Sequence, residues 1–150
     1  MLKELTLCIS KEDFHQKLNA FIKKDSKGYC CLINPNILVN CIKKKGYFKV
    51  IHSARFNVCD AISIQLINNL TKKEKIRNYS GPDLFKKLTK NNNYSQFFIG
   101  GESKQLINSL RNNINNPNIK KNDFYCPPFL KVDDFDYQKI SKLINSKKPD

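Results

Sequence analysis

No apolar run in the 150 residues approaches the ~18–20 needed to cross a bilayer as a helix, so a transmembrane segment is not expected. The opening stretch, MLKELTLCIS, has neither a long apolar core nor a small-residue cleavage site, which argues against a secretory signal and for a cytoplasmic protein. Arginine is scarce: Arg55, Arg77 and Arg111 are the only three among 27 basic residues. Base-specific reading of nucleic acid leans on the planar guanidinium fork, so specific nucleic-acid recognition is not expected. There is no Cys-x-x-Cys, and neither His15 nor His52 lies at ligand spacing from a cysteine. A zinc site is therefore not expected, and the six cysteines read as small buried thiols of a reducing compartment. An internal repeat and an interdomain linker are also missing, so residues 1–150 read as a single domain.

What the chain does have is a hydrophobic content of 40% beside 27% charged residues, enough to fold around a core. The formal net charge of +14 comes almost wholly from lysine. Such a surplus attracts polyanions, whether nucleic acid, acidic lipid or a phosphorylated substrate. The joint abundance of Lys, Asn and Ile is also what AT-rich coding produces, which leaves a merely solvated lysine surface as the plain alternative. On charge alone, a basic nucleic-acid-binding domain without catalysis is the second functional reading.

Strand-like and helix-like segments alternate. Residues 5–10 read as a short buried strand, and Ser10 with Asp13 opens a helix over 11–24 with Phe14, Leu18, Phe21 and Ile22 on one face. Strands follow at 29–33 and 56–59, separated by helical spacing from Ile37 and a further short helix at 47–54 beyond Gly46. Residues 61–70 and 82–90 are predicted helices, the second with Pro82 near its first position. A strand at 95–99 leads through Gly100 and Gly101 into a helix from about 102 to 113, then come a strand candidate at 118–125 and a last helix at 134–146. This order predicts an α/β fold with a mostly parallel sheet and helices on both faces. Lys148-Pro149-Asp150 reads as a turn toward a further strand, so the expected domain lacks its last strand and is incomplete at its C-terminal end.

In parallel α/β folds ligands gather beyond the carboxyl ends of the strands, which singles out the loops at 34–36, 60–61, 100–102 and 126–129. Asp60 directly follows an apolar strand and is either a general base or the N-cap of the helix at 61–70. Asn34-Pro35-Asn36 either offers amides to a polar ligand or is an ordinary turn. Gly100-Gly101 before a helix either lets a diphosphate approach the backbone or makes a tight strand-to-helix turn. Ser80-Gly81-Pro82-Asp83-Leu84 is likewise a phosphate-facing helix start or a simple cap.

Taken in order, these segments resemble the WecG/TagA/CpsF family of bacterial glycosyltransferases (glycosyltransferase family 26). Asn34-Pro35-Asn36 resembles the family's Thr-x-Asn, and Cys59-Asp60-Ala61 its Pro-Asp-Gly. Gly81-Pro82-Asp83-Leu84 matches its Gly-x-Asp-Leu, and Phe97-Phe98-Ile99-Gly100-Gly101 resembles its Phe-Leu-Leu-Gly-Gly. Pro127-Pro128-Phe129 and Lys148-Pro149-Asp150 match its Pro-Pro-Phe and Lys-Pro-Asp. The resemblance implies a Rossmann-like fold. It also implies inverting transfer of an N-acetylhexosamine, N-acetylmannosamine-like, from a UDP-sugar to a polyprenyl-diphosphate-linked sugar in cell-surface polysaccharide or teichoic acid synthesis. Neither a metal nor another cofactor is implied, and contact is expected with the inner face of the cytoplasmic membrane. By the same resemblance Asp60 is the catalytic base, with Asn34 beside it. Asn36, Gly81, Asp83, Gly100, Gly101, Pro128 and Phe129 are implied to bind substrate, and self-association into a homo-oligomer stays open.

The sequence also departs from the family pattern. Asn34 stands where the family has threonine and Ala61 where it has glycine, and Arg77 lies four residues before Gly81 rather than three. The family's further strand, Gly-x-Gly-x-Pro-Lys-Gln-Glu motif and basic tail have no counterpart, so the expectation is a truncated form with impaired activity by itself.

Overall fold

The computed structural model describes residues 4–24, 27–101 and 103–150, with the side chains of Lys104 and Val132 left aside. The chain divides between Leu84 and Phe85 into two compact units. Each combines helices with a parallel strand pair, giving the mixed α/β class that the alternating pattern predicts, consistent with the Rossmann-like fold that the resemblance implies.

The first unit is organised around β1 (Cys30–Ile33) and β2 (Phe56–Cys59), paired in parallel from Cys30 against Phe56 to Ile33 against Cys59. On the other edge of β2, Asn57 donates to Thr6 O at 2.9 Å and Cys8 donates to Asn57 O at 2.8 Å. The predicted strand at 5–10 is therefore reduced to one bridge, Leu7 to Asn57. The cause lies beyond Leu7, where the Asp13 carboxylate takes the Ile9 N–H at 2.8 Å and turns the chain into a helix. Every residue of β2 is buried, as a strand covered on both faces requires.

Alternation along the strands assigns the two faces. Leu32, Phe56 and Val58 look toward α1 (Lys11–Lys23), whose Phe14 ring meets Phe56 edge-on at 5.6 Å and Tyr79 at 5.9 Å. Ser10 caps α1 by accepting from Asp13 N at 3.2 Å. The opposite face, with Ile33 and Cys59, packs against α2 (Pro35–Lys43), α3 (Tyr47–His52) and α4 (Ile62–Thr71) in a cluster containing Leu7, Ile51, Ile64 and Ile76. Full burial of such side chains contributes about 1.5–3 kcal/mol apiece. Gly46 turns the chain between α2 and α3 at φ 84°, a conformation that favours glycine. Asn57 is a polar exception in the core: its Nδ2 reaches Ile51 O at 3.4 Å, and its Oδ1 has no partner among the described residues.

Helix α5 (Gly81–Thr89) runs across the division between the units. In the second unit, β3 (Phe98–Ile99) pairs in parallel with β4 (Phe124–Tyr125), and the rings of Phe98 and Phe124 stack at 4.7 Å. Helix α6 (Lys104–Asn112) is capped by Ser103, and α7 (Tyr137–Lys147) by Asp136. Three sequence expectations are corrected here. The strand at 95–99 shrinks to two residues. In the candidate at 118–125, Lys121–Asp123 form a 3-10 turn, because the Asp123 carboxylate takes the Lys120 N–H at 2.7 Å; only Phe124–Tyr125 is strand. The last helix starts at Tyr137 rather than 134, after a 3-10 turn at Val132–Asp134. Asp150 is tied to Ser95, giving its N–H to Ser95 O at 3.0 Å and accepting Ser95 N–H at 2.6 Å.

Candidate active site

The polar residues of the first unit meet just past the ends of β1 and β2. Asp60 N–H donates to Ile33 O at 2.9 Å, so Asp60 still lies beside β1 when its strand has ended. Asn34 follows Ile33 directly, which sets Asn34 and Asp60 side by side at the carboxyl ends. A third segment is drawn to the same place: Tyr79 N–H donates to Cys59 O at 2.7 Å, and two residues later Gly81 N–H donates to Asp60 Oδ1 at 2.6 Å. A Cβ on Gly81 would stand 3.1 Å from Leu32 Cδ2 and 3.6 Å from Asp60 Oδ1. Glycine is what allows the start of α5 to come this near.

This arrangement decides between the two readings of Asp60 as a local element. The residue preceding α4 is Ala61, which makes no side-chain cap, so Asp60 is not the N-cap of the helix that follows it. Its carboxylate turns instead to the first residue of α5, in a hydrogen bond strengthened by its charge. Oδ2 takes no hydrogen bond from the described residues, and Asp60 is only partly buried, so that oxygen can meet a substrate hydroxyl. The Gly81 N–H is occupied by a protein carboxylate and is not offered to a phosphate.

The remaining predicted residues fall as follows. Asn34 caps α2, its Oδ1 accepting from Ile37 N at 3.0 Å, and Nδ2 is left without a partner among the described residues. Asn36 is exposed in the first turn of α2. Asp83 is exposed and faces Lys11 at 3.4 Å, a surface pair worth little. In the second unit, Gly100 and Gly101 hold φ of 139° and 97°, and Gly100 N–H donates to Tyr125 O at 3.0 Å. Cys126 Sγ lies 3.2 Å from Gly101 O, so the Gly100-Gly101 turn and the start of the loop at 126–129 are neighbours beyond the ends of β3 and β4. Pro128 and Phe129 are exposed, Phe129 to 94%. Glu102, within the predicted loop at 100–102 and opening the helix predicted from there, lies outside the described residues.

Two side chains escaped the sequence reading. Tyr79 is 3% exposed, and its hydroxyl is 3.0 Å from His15 Nε2. Burial, with Asp83 and Glu12 nearby, pushes its phenol above the ordinary range, so the hydroxyl keeps its proton and anchors the segment leading to Gly81. Only the apolar-polar character of Tyr79 hinted at this, and His15 carries no local signal beyond adjacency to the core residue Phe14. The cysteines are free thiols, and burial raises Cys8 to about 11 and also lifts Cys59, which suits packing rather than nucleophilic work.

Parallel strands with polar groups gathered at their carboxyl ends define an α/β protein of the kind that binds ligands at those ends. The glycosyl transferase WecG/TagA/CpsF family matches residues 5–150, and the chain belongs to that family. It is also similar to the N-acetylglucosaminyldiphosphoundecaprenol N-acetyl-beta-D-mannosaminyltransferase of Bacillus subtilis (strain 168), with 29% identity over 116 residues. That similarity covers 75% of this chain and 42% of the relative, so the chain matches less than half of the relative's length. No helix among the described residues is long and apolar enough to cross a membrane.

Proposed function

We propose that the chain serves the transfer of an N-acetylhexosamine, N-acetylmannosamine-like, from a UDP-sugar to a polyprenyl-diphosphate-linked N-acetylglucosamine. In this reading the acceptor hydroxyl oxygen attacks the anomeric carbon, the bond from that carbon to UDP breaks, and configuration inverts in one displacement. Asp60 Oδ2 takes the hydroxyl proton, while the Gly81 N–H holds Oδ1 and fixes the carboxylate plane. Asn34 Nδ2 is an adjacent donor for the substrate. Gly100 and Gly101 are assigned to the donor diphosphate, whose charge in a metal-independent reaction falls on protein donors. The observation that carries the reading is the half-buried Asp60 carboxylate, tethered through one oxygen beyond the end of β2. The reaction places the protein at the inner membrane face, in cell-surface polysaccharide or teichoic acid synthesis.

Isothermal titration with UDP-N-acetylmannosamine tests the donor half directly. Binding with Kd between about 1 µM and 1 mM is expected. No heat of binding from this donor or from UDP-N-acetylglucosamine would remove the sugar-nucleotide reading.

A further inference from the structure

Between α4 and α5 the chain returns to the site through residues 74–80, which lie outside both strand pairs. This segment is held from two sides. On one side Arg77 N–H donates to Ile9 O at 2.8 Å and Tyr79 N–H to Cys59 O at 2.7 Å. The residues alternating with them face α4, as the period of an extended chain requires. There three side-chain amides of the helix meet residues 74, 76 and 78. Asn68 Nδ2 donates to Glu74 O at 3.0 Å. Asn69 makes two bonds to Ile76, accepting its N–H at 2.8 Å and donating to its carbonyl at 3.0 Å. Gln65 Oε1 accepts the Asn78 N–H at 2.8 Å. Asparagine is a poor residue for a helix, and these bonds account for its place at 68 and 69.

Gln65 and Asn69 stand four residues apart on one face of α4, and α4 opens at Ile62, two residues after Asp60. The carboxylate and the amides therefore belong to one short stretch of chain, and the returning segment closes the circuit where Gly81 N–H meets Asp60 Oδ1. Tyr79 brings Gly81 to the strand end. The bonds on the α4 side set how the segment is turned about its own length, and so where that N–H is aimed. We propose that Gln65 and Asn69 are positioning residues of the transfer reaction, holding residues 74–80 so that Gly81 keeps Asp60 Oδ2 toward the acceptor. This rests on the reading of Asp60 as the proton acceptor. Asn78 is half-buried, so without Gln65 its N–H must turn toward water for a partner, and Gly81, three residues on, turns with it.

The amide proton of Gly81, followed by proton–nitrogen NMR in the sugar-free protein, reads this directly. A charge-assisted bond of 2.6 Å carries that proton downfield. Gln65→Met keeps the length of the side chain and removes the acceptor. The Gly81 proton should then move upfield and exchange with solvent about tenfold faster. Gln65→Glu retains an acceptor oxygen and should return both toward their original values. Asn69→Leu should act in the same direction more weakly, since Ile76 lies five residues from Gly81, and it supplies the reading should Gln65→Met fail to fold. Melting is followed separately: amides that merely stabilise the fold would lower the melting temperature and leave the Gly81 resonance in place. An unmoved Gly81 proton in these variants overturns the proposal. In single-turnover transfer Gln65→Met should lower the rate on the order of tenfold at unchanged donor Kd, with recovery in Gln65→Glu. An unchanged rate overturns it as well. The NMR measurement needs no sugar, so an unmodified chain that fails to transfer defeats the proposed function and leaves the measured link from Gln65 to Gly81 standing.

Discussion

The two units use the same parallel βα logic with opposite interiors. Every buried apolar residue among those described belongs to the first unit, from Leu5 through Phe14, Ile33 and Val58 to Leu84. Among the described residues of the second unit the buried ones are Thr89 and Asn116, and side-chain amides do the joining. Asn116 Nδ2 donates to Thr89 O at 2.8 Å and to Asn91 O at 3.2 Å, and its Oδ1 accepts from Asn118 N at 2.9 Å. Lys147 pairs with Asp123 at 3.0 Å, and one stacked phenylalanine pair supplies the strand contact. The first unit can therefore position the Asp60 carboxylate by packing, whereas the second holds its glycine turn by hydrogen bonds whose net worth is only about 0.5–1.5 kcal/mol each.

Mutations should expose that difference. Ile64→Ala empties a fully buried site beside Ile33 and Cys59 and should cost about 2–5 kcal/mol, read as a lowered denaturation midpoint with unchanged slope. Equal effects from exposed Ile67→Ala would break the assignment of the core. Phe124→Ala removes the stacked partner of Phe98 and should cost less, about 1–2 kcal/mol, with hydrogen exchange quickening in β3 and β4 while β2 stays protected. Loss of protection in β2 of the same size would merge the two units energetically.

A pH dependence in the first unit follows from Cys8. Burial raises the folded-state pKa of Cys8 from 9.0 to about 11, so its contribution is fully present below pH 9 and is lost as pH rises toward 11. Cys8→Ala should flatten the decline in melting temperature across that window. An identical decline in the variant would show that other groups cause it.

How much of this was legible beforehand depends on the range of the interaction. β2 and α4 were readable because a mostly apolar tetrapeptide just before Asp60 and a periodic run after it are local patterns. The overlong strand predictions fail where a carboxylate bonds nearby backbone: Asp13 onto Ile9, and Asp123 onto Lys120. Position at the end of a strand was enough to select Asp60 and Asn34, and the capping role of Asn34 was among the readings open from the start. The bond from Gly81 to Asp60 spans 21 residues and exists only because Tyr79 is hydrogen-bonded past the end of β2, which no local pattern announces.

The claim that Asp60 is the proton acceptor is tested most directly by single-turnover transfer from saturating UDP-N-acetylmannosamine to a short polyprenyl-diphosphate N-acetylglucosamine, comparing the protein with Asp60→Asn. Asparagine preserves shape and removes basicity. The account predicts a rate lowered by about 10²–10⁴-fold with donor Kd unchanged. Equal rates for the two proteins would contradict it.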